Sequence, residues 1–357
     1  MSYLIAILVF GVMIFIHELG HFITAKLCGV AVVQFTIGFG PAIVRWKRNG
    51  TLYAIRLLPI GGAVMMKGEE DEQSEKILTA ESVLPDEAPG IAFPDAKLWK
   101  RFIIVLSGAL MNFLSGVIIV LILLLPAKAY NSTYIAGFMD GFEYNAPTGF
   151  QVGDRLVRVN EFHIYTLNDF NTALMLGAGE PFSIEVKRDG KIIDLGKIPM
   201  TASIYSPEDG TYKYGFLLEK REIHGFGKVK LATDTSLSYV QSAVAGLRML
   251  IRGQVGTEDM MGTVGIASEI GTLAKTSLRS MWNFVAFISV NLAVVNLLPI
   301  PALDGGKVLF LLFEVVARKK LNPKYESYAS LAGLVLILGL FVFVTYHDIL
   351  RLVGGGA

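Results

Sequence analysis

The chain has 357 residues, of which 53% are hydrophobic and only 18% are charged, and its mean hydropathy is +0.52. Soluble domains carry about 25% charged residues, so this composition indicates a protein that exposes much of its surface to lipid. The formal net charge of +1 gives no reason to expect a nucleic-acid partner. Cys28 is the single cysteine, which excludes an intrachain disulfide and a zinc site built from cysteines.

The first apolar run predicts a membrane-spanning helix over residues 1–28 that carries a metal-binding motif. It lacks the basic start and the small-residue cleavage site of a signal peptide, so we expect it to be retained. His17 and His21 are four positions apart and share one helix face, where both can bind one metal ion. Glu18 lies beside them and can accept a proton from water. Ionisable groups in a span usually mark function, although a chance match on a buried helix is the alternative.

The next segment, residues 29–68, changes to short β-like runs separated by glycines. Asn49-Gly50 stands between two of these runs, which is a strong hairpin signal. We therefore predict a small sheet next to the first helix. The alternative is an ordinary hairpin without a role in catalysis.

Residues 69–98 are acidic, contain prolines and lack an apolar pattern, so they are predicted to form an exposed cytoplasmic loop. Basic residues then precede a second span over residues 99–127, and such flanks favour the cytoplasmic side. Asn112 and the small Ser107-Gly108-Ala109 cluster in this span are typical of close helix packing. A functional role for them is the less favoured interpretation.

Residues 128–222 have a soluble character and are predicted to form a domain outside the cytoplasm. The order of strand, short helix, strand and Asp-Gly turn resembles a bacterial-type PDZ domain. The Gly153-Asp154 turn, Asn160 and the Arg188-Asp189-Gly190 turn carry this resemblance.

Residues 223–278 are predicted to be an amphipathic or connecting helical segment. The apolar stripe that predicts an amphipathic helix consists of Val240, Val244, Leu247 and Ile251.

A third apolar segment covers residues 279–317 and is interrupted by the proline- and glycine-rich stretch 299–306. Residues 318–328 are a predicted cytoplasmic turn, and a last span covers residues 329–352. The fold class predicted is a multi-pass α-helical membrane protein with four transmembrane helices. A membrane-associated β element and one extracytoplasmic PDZ domain complete it, with both termini outside the cytoplasm.

The third metal ligand has to come from elsewhere in the chain, because a catalytic zinc usually has three protein ligands and a water. The extended motif with a third histidine is absent, since Thr24 and Leu27 occupy its positions. Asp304 is the only acidic residue between Glu269 and Glu314, and the surrounding prolines and glycines can turn it towards a wet cavity. Asp304 is therefore the candidate third ligand. The alternative is a cap for the helix that follows.

Taken together, these motifs resemble the site-2 protease family of intramembrane zinc metalloproteases, of the bacterial regulator-of-sigma-E protease type. The resemblance covers most of the chain. It is carried by His17-Glu18-Leu19-Gly20-His21, the Gly38-Phe39-Gly40-Pro41 turn, residues 107–112, the PDZ-like module and the stretch from Asn296 to Gly306 with its Leu303-Asp304-Gly305 core.

The resemblance implies a zinc ion bound by His17, His21 and Asp304, with Glu18 as the general base. It also implies that Asn296 and Pro299 hold the substrate near the metal. Residues 29–68 would then be a membrane-reentrant element that guides the substrate.

The chain departs from the family pattern at four positions. Ala63 and Met65 stand where an aromatic residue and a lysine are common, and Ala109 and Thr263 stand where proline is frequent. These departures concern substrate contacts and leave the metal-binding motif unchanged.

The implied function is hydrolysis of peptide bonds in transmembrane segments of single-pass membrane proteins, such as anti-sigma factors or remnant signal peptides. An upstream site-1 protease would trim these substrates first, and the enzyme would reside in the bacterial inner membrane. Two alternatives are a membrane metal transporter and a catalytically inactive PDZ scaffold. The position of Glu18 between the histidines argues against the first, and the intact set of catalytic positions argues against the second.

Overall fold

The computed structural model describes residues 2–69, 88–139, 142–145, 148–177, 181–199, 204–206, 211–213, 215–253, 261–319 and 322–353. The chain divides into two units. The first comprises Met1–Gly116 with Met249–Ala357, and the second comprises Val117–Arg248. Most of the predicted loop 69–98 lies outside the described residues.

The first unit is built mainly from helices. They are α1 (Ser2–Leu27), the first part of α2 (Leu98–Leu124), α5 (Thr263–Thr276), α6 (Leu278–Asn296), α7 (Asp304–Ala317) and α8 (Pro323–Val353). Within the described ranges, four helical segments are long and apolar enough to cross a membrane: Leu4–Leu27, Leu98–Leu124, Leu278–Asn296 and Lys324–Leu350.

The surface of these helices is apolar. Leu4 is 70% exposed on α1, Ile122 57% on α2 and Leu336 64% on α8. Contiguous apolar surface of this kind is rare on soluble monomers, so the arrangement fits a membrane protein.

A sheet of two long, irregular strands, β1 (Val32–Arg48) and β2 (Thr51–Met66), packs against α1. The turn between them contains Asn49 and Gly50, both with positive φ, as the Asn-Gly pair predicts. The register is shifted along the sheet, so that Phe35 lies opposite both Tyr53 and Val64. As a result, the first part of β1 has the start of β2 on one side and the end of β2 on the other.

Residues 88–97 return to the first unit and correct the prediction of an exposed loop. Ala88, Phe93 and Ala96 are buried, and Phe93 belongs to a core cluster with residues of α1, α2 and β1. The backbone amide of Ile91 donates to the carbonyl of Gly29 at 3.0 Å. The prediction was wrong here because polar composition does not reveal that the chain pairs with the start of the sheet.

The second unit contains a sheet in the order β10-β3-β4-β6-β7, with β5 paired to β4, and a separate pair, β8 with β9. Its strands are β3 (Ala129–Phe138), β4 (Arg155–Val159), β5 (Phe162–His163), β6 (Phe182–Arg188), β7 (Lys191–Ile198), β8 (Ile204–Ser206), β9 (Thr211–Lys213) and β10 (Phe216–Glu222). Helix α3 (Leu167–Leu176) begins at the capping box of Thr166 and Asp169. The core beneath it includes Phe150, Leu156, Ile164 and Ile184.

Helix α4 (Phe226–Ile251) follows β10 and buries a different face from the predicted apolar stripe. Its buried residues include Ser236, Tyr239 and Ala243, whereas Ile251 is 85% exposed. The side-chain amide of Gln241 donates a hydrogen bond to the Asp169 carboxylate at 3.0 Å. Polar contacts therefore help to hold this face of α4 against α3.

A buried ion pair links two turns of this unit. The Asp154 carboxylate is fully buried and accepts hydrogen bonds from Arg188 Nε and Nη2, both at 2.7 Å. It also accepts one from the backbone N–H of Gln151 at 2.8 Å. Hydrogen bonding to Asp154 raises the pKa of Arg188 above its ordinary value. The Gly153-Asp154 turn and the turn after Arg188 are therefore fastened to each other.

We predict that Arg188→Met destabilises the second unit by about 3–5 kcal/mol, because it leaves the Asp154 carboxylate buried without its partner. Hydrogen–deuterium exchange of the β4 and β6 amides in the purified full chain measures this change. Arg158→Met is the matched control. Arg158 pairs with Glu185 across the same two strands at 3.5 Å, but its side chain is 51% exposed. The control should cost less than about 1 kcal/mol, and equal losses in both variants would contradict the prediction.

Candidate metal centre

Helix α1 presents both histidines of the motif to one point. His17 and His21 are 8% exposed, and their Nε2 atoms lie 3.2 Å apart. Because residues four apart face the same way on a helix, this convergence follows from the motif itself.

Asp304 reaches the same point because the chain breaks between α6 and α7. Asp304 is the first residue of α7. Ala302, two residues earlier, has a positive φ of 91°. A side chain on Gly306 would lie 2.5 Å from the Ile300 carbonyl oxygen, so this turn admits only glycine there. The prolines and glycines thus form a tight reversal that turns the carboxylate inwards.

The ligand atoms form a nearly equilateral triangle. Asp304 Oδ2 lies 3.2 Å from His17 Nε2 and 3.3 Å from His21 Nε2. In tetrahedral zinc sites the bonds are about 2.0–2.2 Å, which places ligand atoms about 3.3–3.6 Å apart. The triangle therefore fits one face of a zinc tetrahedron.

The hydrogen-bond pattern around these atoms also fits a bound cation. His21 Nδ1 donates to the Ile104 carbonyl at 2.8 Å, so Nε2 of the neutral imidazole carries a lone pair. Asp304 Oδ2 is buried, and no hydrogen bond within the described residues satisfies it. Electron-pair donors that face each other in a buried site repel unless a proton or a metal ion lies between them, and three donors around one point suit a metal ion.

Helix α2 closes the site from the other side. A side chain on Gly108 would overlap His21 Nε2 and come within 2.7 Å of His17 Cε1. A side chain on Gly20 would lie 2.5 Å from the Ser107 carbonyl oxygen, so α1 and α2 approach each other closely here. The packing role predicted for the small residues of α2 thus includes leaving room at the histidines.

A cavity of about 410 Å³ opens in front of the histidines. It is lined by Glu18, by residues 61–64 and Met66 of β2, by Asn296 and by Lys307, among others. Gly62 lies against Glu18, because a Cβ there would be 2.8 Å from Glu18 Cγ. Glu18, the candidate base, and the end of β2 therefore line the same cavity.

The structure brings together five of the six candidate site residues: His17, Glu18, His21, Asp304 and Asn296. The Asn296 amide nitrogen lies 3.3 Å from His17 Nδ1. Pro299 is exposed and belongs to the turn between α6 and α7, outside the cavity lining. A role for it in direct substrate contact therefore gains no geometric support.

Sequence reasoning did not assign Asn112 or Lys307 to the site. The Asn112 amide nitrogen is 3.3 Å from His17 Nδ1, and Lys307 lines the cavity and pairs with Glu69 at 3.0 Å. Both signals were available: Asn112 follows Gly108 by four positions, and Lys307 follows Asp304 by three, so each shares a helix face with a site residue.

Comparison with known proteins extends over nearly the whole chain. Residues 5–340 match peptidase family M50. A putative zinc metalloprotease of Clostridium acetobutylicum is 32% identical over 97% of this chain and 96% of its own length. One of Clostridium perfringens is 33% identical over 98% and 99%, and the regulator of sigma-W protease RasP of Bacillus subtilis is 28% identical over 97% of each chain.

We predict that Gly108→Ala abolishes stoichiometric zinc binding, because the added methyl group occupies the space in front of both imidazoles. Metal analysis of the purified full chain measures the zinc content. Gly339→Ala in α8 is the matched control, since no atom of the described residues lies within 4 Å of a Cβ at that position. Full zinc occupancy in Gly108→Ala would show that the metal does not bind between these residues.

Proposed function

Because the chain belongs to peptidase family M50, the site-2 protease family, we propose that it cleaves peptide bonds within or beside transmembrane segments of other membrane proteins. Family membership makes the chain a zinc metalloprotease, which decides against the transporter and the inactive scaffold. The observation that carries the proposal is the triangle of His17, His21 and Asp304 beside Glu18 in one cavity.

The zinc ligands of the proposal are His17 Nε2, His21 Nε2 and Asp304 Oδ2. When bound, zinc would supply Lewis acidity, which polarises a carbonyl and lowers the pKa of bound water to near neutrality. The Asp304 carboxylate would offset part of the metal charge, and both imidazoles would bind through Nε2.

Glu18 is the proposed general base. Its carboxylate accepts a proton from the attacking water and delivers that proton to the leaving amine when the peptide bond breaks. The backbone of Gly62 packs against Glu18 and limits the positions that its carboxylate can take. Chemistry of this kind needs water, which the cavity can admit at membrane depth.

The substrate would bind as an added strand along residues 61–66 at the end of β2. This stretch lines the cavity. Within the described residues it forms strand pairs with β1 on one side only. A transmembrane helix hides its carbonyls in internal hydrogen bonds, so it must unwind before cleavage. Strand addition would satisfy the exposed backbone groups, and the Asn296 side chain could bind another.

For the second unit we propose a PDZ domain outside the cytoplasm. Its support is the sheet order, the helix α3 after β5, and the Asp154–Arg188 pair that joins the two turns of the sequence resemblance. Strand β10 is at the end of the sheet order, where a peptide could pair with it. The domain would bind or screen substrates that have already been trimmed.

The proposed placement has four membrane spans, with the sheet of β1 and β2 entering the membrane from the cytoplasmic side. Lys97, Lys100 and Arg101 lie at the start of the second span, and Arg318 follows α7, which supports a cytoplasmic position for these ends. This orientation puts both termini and the PDZ domain on the outer side of a bacterial inner membrane.

The proposed substrates are single-pass membrane proteins, either anti-sigma factors or remnant signal peptides. The support is the name of the Bacillus subtilis relative, which is called a regulator of sigma-W protease. An upstream site-1 protease would remove the outer part of such a substrate before it enters the cavity.

We predict that Glu18→Gln keeps full zinc occupancy but slows cleavage by about 10²- to 10⁴-fold, because the amide cannot accept the proton. Asp304→Ala should lose both zinc and activity. The assay follows cleavage of a membrane-embedded single-span reporter by the purified enzyme, with metal analysis in parallel. Undiminished cleavage by Glu18→Gln would refute the assigned base, and retained zinc in Asp304→Ala would indicate another third ligand.

A second prediction tests strand addition by disulfide crosslinking in a Glu18→Gln, Cys28→Ser background. A cysteine at Ala63, which lines the cavity, should crosslink to cysteines placed in the unwound segment of the reporter. A cysteine at Val44 is the control, because residues 42–48 pair with the start of β2, away from residues 61–66. Crosslinking at Val44 with none at Ala63 would place the substrate on the other edge.

A further inference from the structure

We propose that Asn112 is a positioning residue: its amide oxygen accepts a hydrogen bond from His17 Nδ1 and thereby holds Nε2 ready for zinc. Asn296 is then free to bind the substrate. This inference rests on the proposed function in taking His17 as a zinc ligand.

The first observation is an unsatisfied amide. Asn112 is fully buried in α2, and its nitrogen lies 3.3 Å from His17 Nδ1. Its Oδ1 has no hydrogen-bond partner in the part of the chain that the structure describes. A buried polar atom without a partner costs about 1–3 kcal/mol, so in this orientation the His17 contact is the one contact at which the amide can be better satisfied.

The second observation is the requirement of the imidazole. When His17 binds a metal through Nε2, Nδ1 carries the hydrogen and needs an acceptor. His21 already meets this requirement with the Ile104 carbonyl at 2.8 Å. A half-turn of the Asn112 side-chain amide exchanges its oxygen and nitrogen, which gives His17 an equivalent acceptor.

The backbone of Asn112 is held in place by a buried hydroxyl network. The Asn112 carbonyl accepts from Ser115 Oγ at 2.8 Å and from Ser289 Oγ at 2.9 Å. The two hydroxyls also lie 2.7 Å apart, which ties α2 to α6. A rigid support of this kind is what a metal ligand needs to keep its orientation.

Asn296 is less suited to this task. It is the last residue of α6, only partly buried, and it lines the cavity beside Asp304 and Glu18. Its amide can therefore reach a substrate backbone, whereas the fully buried Asn112 cannot. Asn112 therefore positions the imidazole of His17 for the metal, and Asn296 binds the substrate.

The test compares Asn112→Leu, which keeps the branch at Cγ but has no acceptor, with Asn112→Asp, which keeps one. Zinc dissociation constants come from chelator competition on the purified full chain. Absorption spectra of the Co²⁺-loaded protein report the ligand geometry. We expect Asn112→Leu to weaken zinc binding by about 10- to 100-fold and to alter the spectrum. Asn112→Asp should stay near the wild-type affinity.

Two controls separate positioning from packing. Asn291→Leu removes another amide from the membrane region, one that donates within α6 to the Phe287 carbonyl, and should leave zinc affinity unchanged. Asn112→Ala is measured alongside as a smaller change, and it should weaken zinc binding as Asn112→Leu does.

Asn296→Ala should raise KM for the reporter without weakening zinc binding.

The proposal is overturned if Asn112→Leu and Asn112→Ala bind zinc as tightly as the wild type, or if Asn112→Asp loses as much affinity as they do. Zinc loss in Asn296→Ala would also overturn the division of roles. His17→Ala distinguishes the two levels of failure. If that variant keeps zinc, the ligand assignment itself is wrong; if it loses zinc while Asn112→Leu does not, only the positioning role fails.

Discussion

Three electron-pair donors that meet in a buried site impose the constraint on which the rest of the first unit depends. His17 and His21 come from one helix and Asp304 from another, and their ligand atoms lie 3.2–3.3 Å apart. Unless a proton or a metal ion lies between them, these donors repel each other, and in an apolar bundle the cost of an unpaired carboxylate is high. A metal ion bound between these three groups would therefore also help to hold α1 and α7 together.

The surrounding bundle is shaped to meet that constraint. The break between α6 and α7 turns Asp304 inwards, and Gly108 keeps α2 from filling the space at the imidazoles. The same break leaves Asn296 at a helix end, where its side chain faces the cavity. One irregular segment thus places a carboxylate beside the two histidines and an amide at the cavity, which a continuous helix could not do.

Many elements were predictable from local patterns. Helix α1 and its motif follow from apolar length and the spacing of His17 and His21, and the β turn follows from Asn49-Gly50. The error occurred where burial depends on distant segments, because residues 88–97 lack an apolar pattern but pack on the first unit. Helix α4 was predicted, but its buried face, lined by small and polar residues, has no signal in the apolar pattern.

The sequence by itself determined the chemistry: two histidines and a glutamate on one helix face, an isolated aspartate in a broken apolar segment, and a chain that belongs in lipid. These are local properties, because helix periodicity and the cost of charge in a span act over a few residues. The tertiary structure decided which groups meet. It placed Asp304 against His17 across the bundle, brought residues 61–66 to Glu18, and put Asn112 behind the imidazole. Such contacts depend on how helices pack, and no spacing along the chain encodes them.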